Sequence, residues 1–346
     1  MTPNEPTAII VVNYKKEGVR DTLKCLESLL NLETDNNDVF VVDNGSADES
    51  VSMMLEWSRQ RLPALNAARL ERGKHPVNFV YYENEARDDR DTLCVSAGKS
   101  KHAITLINVA KNRGPAAGNN IGLRYALREQ YQSFWLLNND TEVAPDALYW
   151  LLQRINEDPK IGMCGSTLLY ADEPETIQNL GGAGFSRLKG KGYGLGQGTH
   201  RSMPVSRSRV EDELRFVSGA SMLVTREFLE KVGLMQEDYF LYGEEIDWAF
   251  RSRNKFRLGF APESIVYHKV GATVGTRVQS PLSDYYMTRN RIKVCVRFSK
   301  VSLPFVFLDL CRVITRYCAS GSWDRAKLIA RAVVGLPFQA GVTIRP

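Results

Sequence analysis

The sequence predicts an α/β fold: a mostly parallel central sheet with helices on both faces, carrying a basic helical extension at its C-terminal end. Three observations lead there. Short apolar runs recur at residues 8–12, 39–42, 104–107 and 134–137, the first three rich in β-branched residues, and a near-continuous apolar run reads as a strand buried on both faces. Each closes on a polar cluster with helical spacing after it, which makes strand–turn–helix units and hence a parallel sheet. From Tyr285 onward eleven Lys/Arg face two acids, a charge of +9 that leaves −4 for everything before it.

A chain of 346 residues has room for one large α/β domain plus an appendage, or for two domains. With 43% hydrophobic and 25% charged residues it has a globular composition, which excludes wholesale disorder. The net charge is +5, and its concentration in the tail points to an anionic partner there, a membrane surface or nucleic acid. No nucleic-acid recognition motif accompanies it, so none is expected to bind. Six cysteines show no C-x-x-C pair and read as reduced thiols. Residues 1–6 lack the features of a signal peptide. No uncharged apolar run reaches the ~18–20 residues of a membrane-spanning helix; the longest candidate, 303–314, is broken by Pro304, Asp309 and Arg312. The expected location is the cytoplasm, possible membrane contact being peripheral and on the inner face of the cytoplasmic membrane.

In chain order, the first run closes on Asn13-Tyr14, and a helix follows with Val19, Leu23, Leu26 and Leu30 at helical spacing. The second closes on Asp43-Asn44-Gly45-Ser46, where Ser46 and Glu49 predict a capping box opening a helix to about Arg59. Residues 60–103 read as an insertion with an edge strand at Phe79-Val80-Tyr81-Tyr82 and a mobile loop through the charged segment 83–90. The third run leads to Asn112-Arg113-Gly114-Pro115, where small residues nearby let the backbone approach a ligand, and to a helix ending about Gln130. It lacks P-loop spacing. After the fourth run a helix starts near Pro145. The stretch 181–209, with alternate glycines from Gly190 to Gly198, predicts a flexible Gly/basic loop. Residues 216–224 read as a strand, and 227–232 as a helix stopped by Gly233.

Two stretches carry candidate chemistry. Asn138-Asn139-Asp140-Thr141 ends the fourth run, and ligands of open α/β sheets bind beyond the carboxyl ends of strands. The cluster admits two readings, a polar turn or a site where Asp140 and a neighbouring amide oxygen hold a hard divalent cation. The second stretch is Tyr239-Phe240-Leu241-Tyr242-Gly243-Glu244-Glu245-Ile246-Asp247. Gly243 opens a helix with acids in its first turn, where the dipole favours them, and Asp247 with Arg251 predicts an i,i+4 pair. Two adjacent glutamates behind an aromatic approach exceed that pattern; a carboxylate so placed can have a raised pKa and accept a proton. His268, one of four histidines, closes a strand at 262–268, either as a structural residue or as a cation ligand beside Asp140.

Together these stretches resemble the family 2 glycosyltransferases of the GT-A fold, and within them a bacterial rhamnosyltransferase-like branch. The matching pieces are Val11-Val12-Asn13-Tyr14, Val42-Asp43-Asn44-Gly45-Ser46 with Asp48 and Ser50, Asn112-Arg113-Gly114 with Gly118-Asn119-Asn120, and Leu137-Asn138-Asn139-Asp140. They continue with Tyr242, Glu244-Glu245 and Asp247, then 262–268 with Gly271, and Tyr285-Tyr286 with Arg289-Asn290. The resemblance implies that Asn13, Asp43, Arg113, Asn138 and Asn139 bind the nucleotide donor. It further implies that Asp140 and His268 ligate Mg²⁺ or Mn²⁺, and that Glu245, with Glu244 as the alternative, is the catalytic base. The chain departs from the family twice: Asn138 stands for the first acid of an Asp-x-Asp pair, and Glu245 for an aspartate.

On this reading, residues 1–284 form the GT-A domain, including the 60–103 insertion and the 181–209 loop, and residues 285–346 form the extension. The implied reaction is inverting transfer of L-rhamnose from dTDP-L-rhamnose, or of another sugar from a UDP-sugar, to a hydroxyl of a cell-surface glycan or lipid-linked acceptor. In the tail, Arg291, Lys293, Arg297 and Lys300 interleave with Val294, Val296 and Phe298. That pattern suits a helix on anionic lipid, with Phe305, Phe307 and Leu308 extending its apolar part; a packed subdomain with a solvated basic face is the competing reading.

Overall fold

The computed structural model describes residues 5–84, 102–269 and 280–338. Most of the expected 83–90 loop, and Gly271, lie outside them. Strand β1 (Thr7–Asn13), helix α1 (Lys16–Leu30), strand β2 (Asn37–Asp43), helices α2 (Ser50–Gln60) and α3 (Leu62–Glu71), and strands β3 (Asn78–Asn84) and β4 (Ala103–Val109) come first. Helix α4 (Pro115–Leu127), β5 (Ser133–Asn138), the short β6 (Thr141–Val143), α5 (Ala147–Glu157) and the long β7 (Ile161–Tyr170) follow. Next are β8 (Ile177–Leu180), β9 (Gly182–Ser186), β10 (Lys191–Gly194), α6 (Arg207–Glu213), β11 (Phe216–Val217), β12 (Ser221–Thr225) and α7 (Arg226–Val232). A 3-10 turn at Glu237–Tyr239 leads into α8 (Glu244–Ser252) and β13 (Arg257–His268), and three helices follow, α9 (Pro281–Phe298), α10 (Leu303–Ala319) and α11 (Trp323–Val333).

The main sheet runs β3-β4-β2-β1-β5-β12-β7-β13-β6, with β8 paired to β7. Its first five strands are parallel, β12 enters antiparallel between β5 and β7, and β13 runs parallel to β7. Ile9, Val11, Val41, Trp135 and Leu137 point into one core, and Ala8, Ile10, Val42, Phe134 and Leu136 into the other. Successive strand residues face opposite ways, so a sheet with helices on both faces needs apolar residues at both phases. That is why the runs are unbroken. The carboxyl ends of β1, β2, β4, β5, β7 and β13 consequently share one edge, and the candidate residues sit along it.

Four expectations change. The helix after β2 opens at Ser50, not at a Ser46–Glu49 capping box: the Ser46 hydroxyl donates to Asp43 Oδ2 at 2.7 Å, and Asp48 Oδ1 accepts from the Ser50 amide at 2.9 Å. Helix α3 joins the edge strand β3 within 60–103. The expected loop at 181–209 contains an antiparallel β9–β10 pair, with β11 added on β9. There the Tyr193 ring covers Gly184 and the Phe216 ring covers Gly192, so these glycines leave room for neighbours' side chains. The expected strand at 216–224 is split into β11 and β12.

Helix α9 is anchored through Asp247, which is fully buried and accepts from Tyr239 Oη at 3.0 Å, Arg251 Nε at 2.7 Å and Arg297 Nη1 at 2.8 Å. The i,i+4 pair is thus present, with Arg297 of α9 as a third partner. Arg291 pairs with Asp309 at 2.7 Å and Lys293 with Asp238 at 2.6 Å, so α9 spends three of its basic residues inside the molecule.

Candidate active site

Asp140 and His268 are brought together by strand register. The Thr141 hydroxyl donates to the Asn138 carbonyl at 2.7 Å, turning the chain out of β5 into β6. β6 then pairs antiparallel with the end of β13, His268 opposite Thr141. This leaves His268 Nε2 at 3.2 Å from Asp140 Oδ1, while His268 Nδ1 meets Gln178 Oε1 of β8 at 2.9 Å. An amide oxygen only accepts, so Nδ1 carries a proton, and Nε2 is the nitrogen that faces Asp140 and would offer its lone pair to a cation between them. The Asn138 amide group lies 3.5 Å from the same Nε2. A carboxylate, an imidazole of fixed tautomer and a carboxamide fit a divalent cation that draws its remaining ligands from phosphate oxygens.

A hydrogen-bonded row ties this corner to the ends of β1 and β2. Asn13 Nδ2 donates to Asp43 Oδ2 at 2.8 Å, Thr22 Oγ1 donates to Asn13 Oδ1 at 2.8 Å, and Asn139 Nδ2 reaches Thr22 Oγ1 at 3.0 Å. The Asn139 side chain is therefore turned into α1, away from the Asp140–His268 pair. Asp43 is almost wholly buried and also accepts from the Ser46 amide at 3.1 Å. Desolvating a carboxylate this far requires such a set of donors.

From Asp43 the row continues across the sheet edge. Asn44 Nδ2 donates to the Gly114 carbonyl at 3.0 Å. Gly114 has φ 92°, and a Cβ there would overlap the carbonyl oxygen of Phe240, so only glycine lets these two loops close. Arg113 Nη2 lies 3.4 Å from Glu237 Oε2, whose other oxygen accepts from Arg124 at 3.0 Å and from Asn120 at 2.8 Å. The loop from Tyr239 thus leads from the Asn112-Arg113-Gly114 turn straight to Gly243 and the two glutamates.

Glu244 is buried, its Oε2 without a hydrogen-bond partner among the described residues, and its pKa is raised well above the usual carboxylate value, by burial first and by the charge of Glu245 second. Glu245 is raised too, again by burial, but its Oε2 accepts from the Gly243 amide at 3.2 Å and the helix start favours its ionised form. Of the two, Glu244 is pushed further toward its protonated form.

A cavity of about 250 Å³ opens beside Asp140, lined among others by Asp21, Lys24, Glu142, Tyr267 and Lys269; Glu244 and Glu245 do not line it. Asp35, His75 and His102 also bring ligand atoms within 4.8 Å of one another. They sit at the amino ends of β2, β3 and β4, and Asp35 is already engaged by Arg69 at 2.6 Å and His75 at 2.6 Å. Sequence reasoning missed Gln178 and Thr22, which no motif marks. It had quoted Asn290 without a role, although the structure bonds it to the loop before Gly243.

A mostly parallel sheet of this order, with polar loops and an acidic pair gathered at the strands' carboxyl ends, defines the GT-A class of α/β folds. Two solved structures share it. The mannosyltransferase PcManGT from Pyrobaculum calidifontis, in complex with GDP-Man and Mn²⁺, has a TM-score of 0.53 at 16% identity, covering 96% of this chain and 80% of that one. GalNAc-T7 with UDP, GalNAc and Mn²⁺ has a TM-score of 0.51 at 14% identity, covering 84% and 47%. Residues 8–76 and 65–233 match the family described as Glycosyl transferase family 2, and the chain belongs to it. The low-salt glycan biosynthesis hexosyltransferase Agl10 of Haloferax volcanii is 26% identical over 62% of this chain and 66% of its own length. The dTDP-rhamnosyl transferase RfbF of Shigella flexneri is 23% identical over 54% of this chain and 61% of its own. The chain thus spans less than two thirds of the RfbF relative and 66% of the Agl10 relative.

Proposed function

We propose that this chain is a cation-dependent, inverting glycosyltransferase that moves L-rhamnose from dTDP-L-rhamnose to a hydroxyl of a cell-surface or lipid-linked glycan. The observation that carries the reading is the Asp140–His268 contact, made by residues far apart in sequence and set on the sheet edge that also bears Asp43 and the glutamate pair. Asp140 and His268, with Asn138 beside them, would hold Mg²⁺ or Mn²⁺, which when bound neutralises charge on the departing diphosphate. Asn13, Asp43 and Arg113 form the nucleotide side, and Asn139 supports them through Thr22. Glu245 takes the proton of the acceptor hydroxyl while that oxygen bonds to the anomeric carbon. The carbon–oxygen bond to the diphosphate breaks with its electron pair leaving on the nucleotide.

The dTDP-rhamnosyl relative supports the donor, and the hexosyltransferase relative keeps another hexose in view; a UDP-sugar is the alternative donor. The chain is read as working in the cytoplasm, a setting supported by the buried thiols of Cys25, Cys164 and Cys295. A thermal-shift panel of dTDP-, UDP- and GDP-sugars with Mn²⁺, followed by an assay of nucleoside diphosphate release, tests the proposal. The expected result is the largest shift with dTDP-L-rhamnose, and dTDP release once acceptor is added. A larger shift with UDP-sugars reassigns the donor; binding with no release for any donor makes the chain a binding module.

A further inference from the structure

We infer that α10 is a docking helix that lies on an anionic phospholipid surface with the start of the helix buried in the headgroup region. Of thirteen large apolar side chains exposed among the described residues, nine fall at or after Met287. Four of these cluster at the head of α10: Val301, Phe305, Phe307 and Leu308 are 71%, 46%, 39% and 51% exposed. Meanwhile only Val306 and Leu310 of this seventeen-residue helix are buried, in a small cluster with Cys295 and Ile329. An ordinary surface helix turns its apolar stripe inward and polar residues outward. α10 has such an inward stripe, Val306 and Leu310 flanked by the partly buried Leu303, Val313, Ile314 and Tyr317, but its outward face is apolar as well, and exposed apolar surface of this kind marks an interaction site.

The charge around that face selects the occupant. Lys300, Arg312 and Arg316 are exposed, and positions 305, 308, 312 and 316 recur at helical spacing, so rings and guanidiniums share a side. The acid of the helix, Asp309, is taken by Arg291 at 2.7 Å. The basic residues of α9 expected to meet lipid, Arg291, Lys293 and Arg297, are spent on Asp309, Asp238 and Asp247, which moves the docking face from α9 to α10. A second copy is a poor occupant, because the face is basic at both ends, Lys300 before the apolar residues and Arg312 and Arg316 after them, so a twofold contact centred on those residues sets basic groups of the two copies against each other. Anionic lipid supplies acyl chains for Phe305 and Leu308 and phosphates for the arginines. Among the described residues no helix is long and apolar enough to cross a membrane, so the contact is that of a helix lying flat. The proposed function enters only as its purpose, holding the site beside a lipid-linked acceptor.

The test is flotation of the full chain, without nucleotide, with vesicles of phosphatidylcholine alone or mixed with phosphatidylglycerol, at low and high salt. Co-flotation is expected with the anionic vesicles only, and weaker at high salt. Phe305→Ser combined with Leu308→Ser should abolish it, and Arg312→Glu with Arg316→Glu should weaken it by roughly fivefold or more for each basic residue lost. All these positions are exposed, so the variants should keep the wild-type melting transition and the wild-type rate of nucleotide release with a soluble acceptor. Absence of flotation for the wild type, or full flotation of the Phe305/Leu308 variant, overturns the inference. So does a wild-type dimer in sedimentation that the same substitutions separate. Docking without sugar transfer would defeat the proposed function alone, and transfer without docking would defeat this inference alone.

Discussion

The buried amide of Asn290 donates to the carbonyl of Tyr242 at 2.8 Å, joining α9 to the loop that delivers the glutamate pair. The same nitrogen lies 2.9 Å from the Tyr239 carbonyl and 2.8 Å from that of Leu241. Within this loop Phe240 and Tyr242 have φ of 65° and 66°, a region that side-chain-bearing residues occupy at a cost of about 1–3 kcal/mol each and keep only when surroundings over-determine them. Asn290 supplies that constraint. Asn290→Ala should leave buried carbonyls short of a donor, destabilising the fold by about 1–3 kcal/mol in denaturant melts. It should lower kcat by roughly tenfold or more, since displaced catalytic groups lose far more than contacts, with donor KM little changed. A fall in KM-controlled binding with kcat intact would show that the loop serves the donor and not the base.

Gln178 fixes the tautomer of His268, and its loss should appear in metal binding before it appears in chemistry. Outer residues that hold a ligating imidazole are typically worth about 10–100-fold in metal affinity. Gln178→Leu is therefore expected to weaken Mn²⁺ uptake by that factor in calorimetric titrations made with nucleoside diphosphate present. Gln178→Glu, which still accepts from Nδ1, should retain most of it. Equal affinities for the wild type and the leucine variant would detach Gln178 from the site.

The two glutamates are separable by isosteric substitution. Glu245→Gln keeps the shape and the helix start but cannot take a proton, so turnover should drop by about 10²–10⁴ while the dissociation constant of nucleoside diphosphate stays within experimental error. Glu244→Gln mimics the protonated form that burial favours, and turnover should persist. A reversed pattern, with Glu244→Gln inactive and Glu245→Gln active, assigns the base to Glu244.

What the sequence displayed and what it hid follow from the range of the interactions. The strands β1, β2, β4 and β5 were legible because burial on both faces writes an unbroken apolar run into the chain. Helix α3 was not: it buries only Leu62 and Arg69, too few positions to print a stripe. The glycines of β9 and β10 looked like a loop because the side chains that fill their space come from Tyr193 and Phe216. In the candidate site, the acids can be picked out as strand-end or helix-start residues, Arg251 as the i,i+4 partner of Asp247, and His268 as one of two readings beside Asp140, but the long-range contacts that hold them cannot. His268 reaches Asp140 through the β13–β6 register, and Gln178 reaches His268 through the β7–β8 return; neither leaves a local pattern. Asn139 reads like its neighbours Asn138 and Asp140, yet the turn points it at Thr22.

The buried Glu244 also predicts how stability depends on pH. Its folded-state pKa is raised well above the unfolded value, with burial the leading cause, and an unfolded glutamate titrates near 4.3. Between that value and the folded pKa the native state binds more protons than the unfolded chain, so stability falls as pH rises through this window. The contribution is fully present below about 4.3 and lost above the folded pKa. Carboxyls held below their usual range, such as Glu27 beside Arg61 and Asp48 beside Ser50, act in the opposite sense and only as the pH falls toward their own low values. The melting temperature of the wild type should therefore drop more than that of Glu244→Gln when the pH is raised from 5 to 8, since the variant lacks the titrating group. Parallel curves for the two proteins across that range would mean that Glu244 is solvated and ionised in the native state, and the division of labour between the glutamates would have to be redrawn.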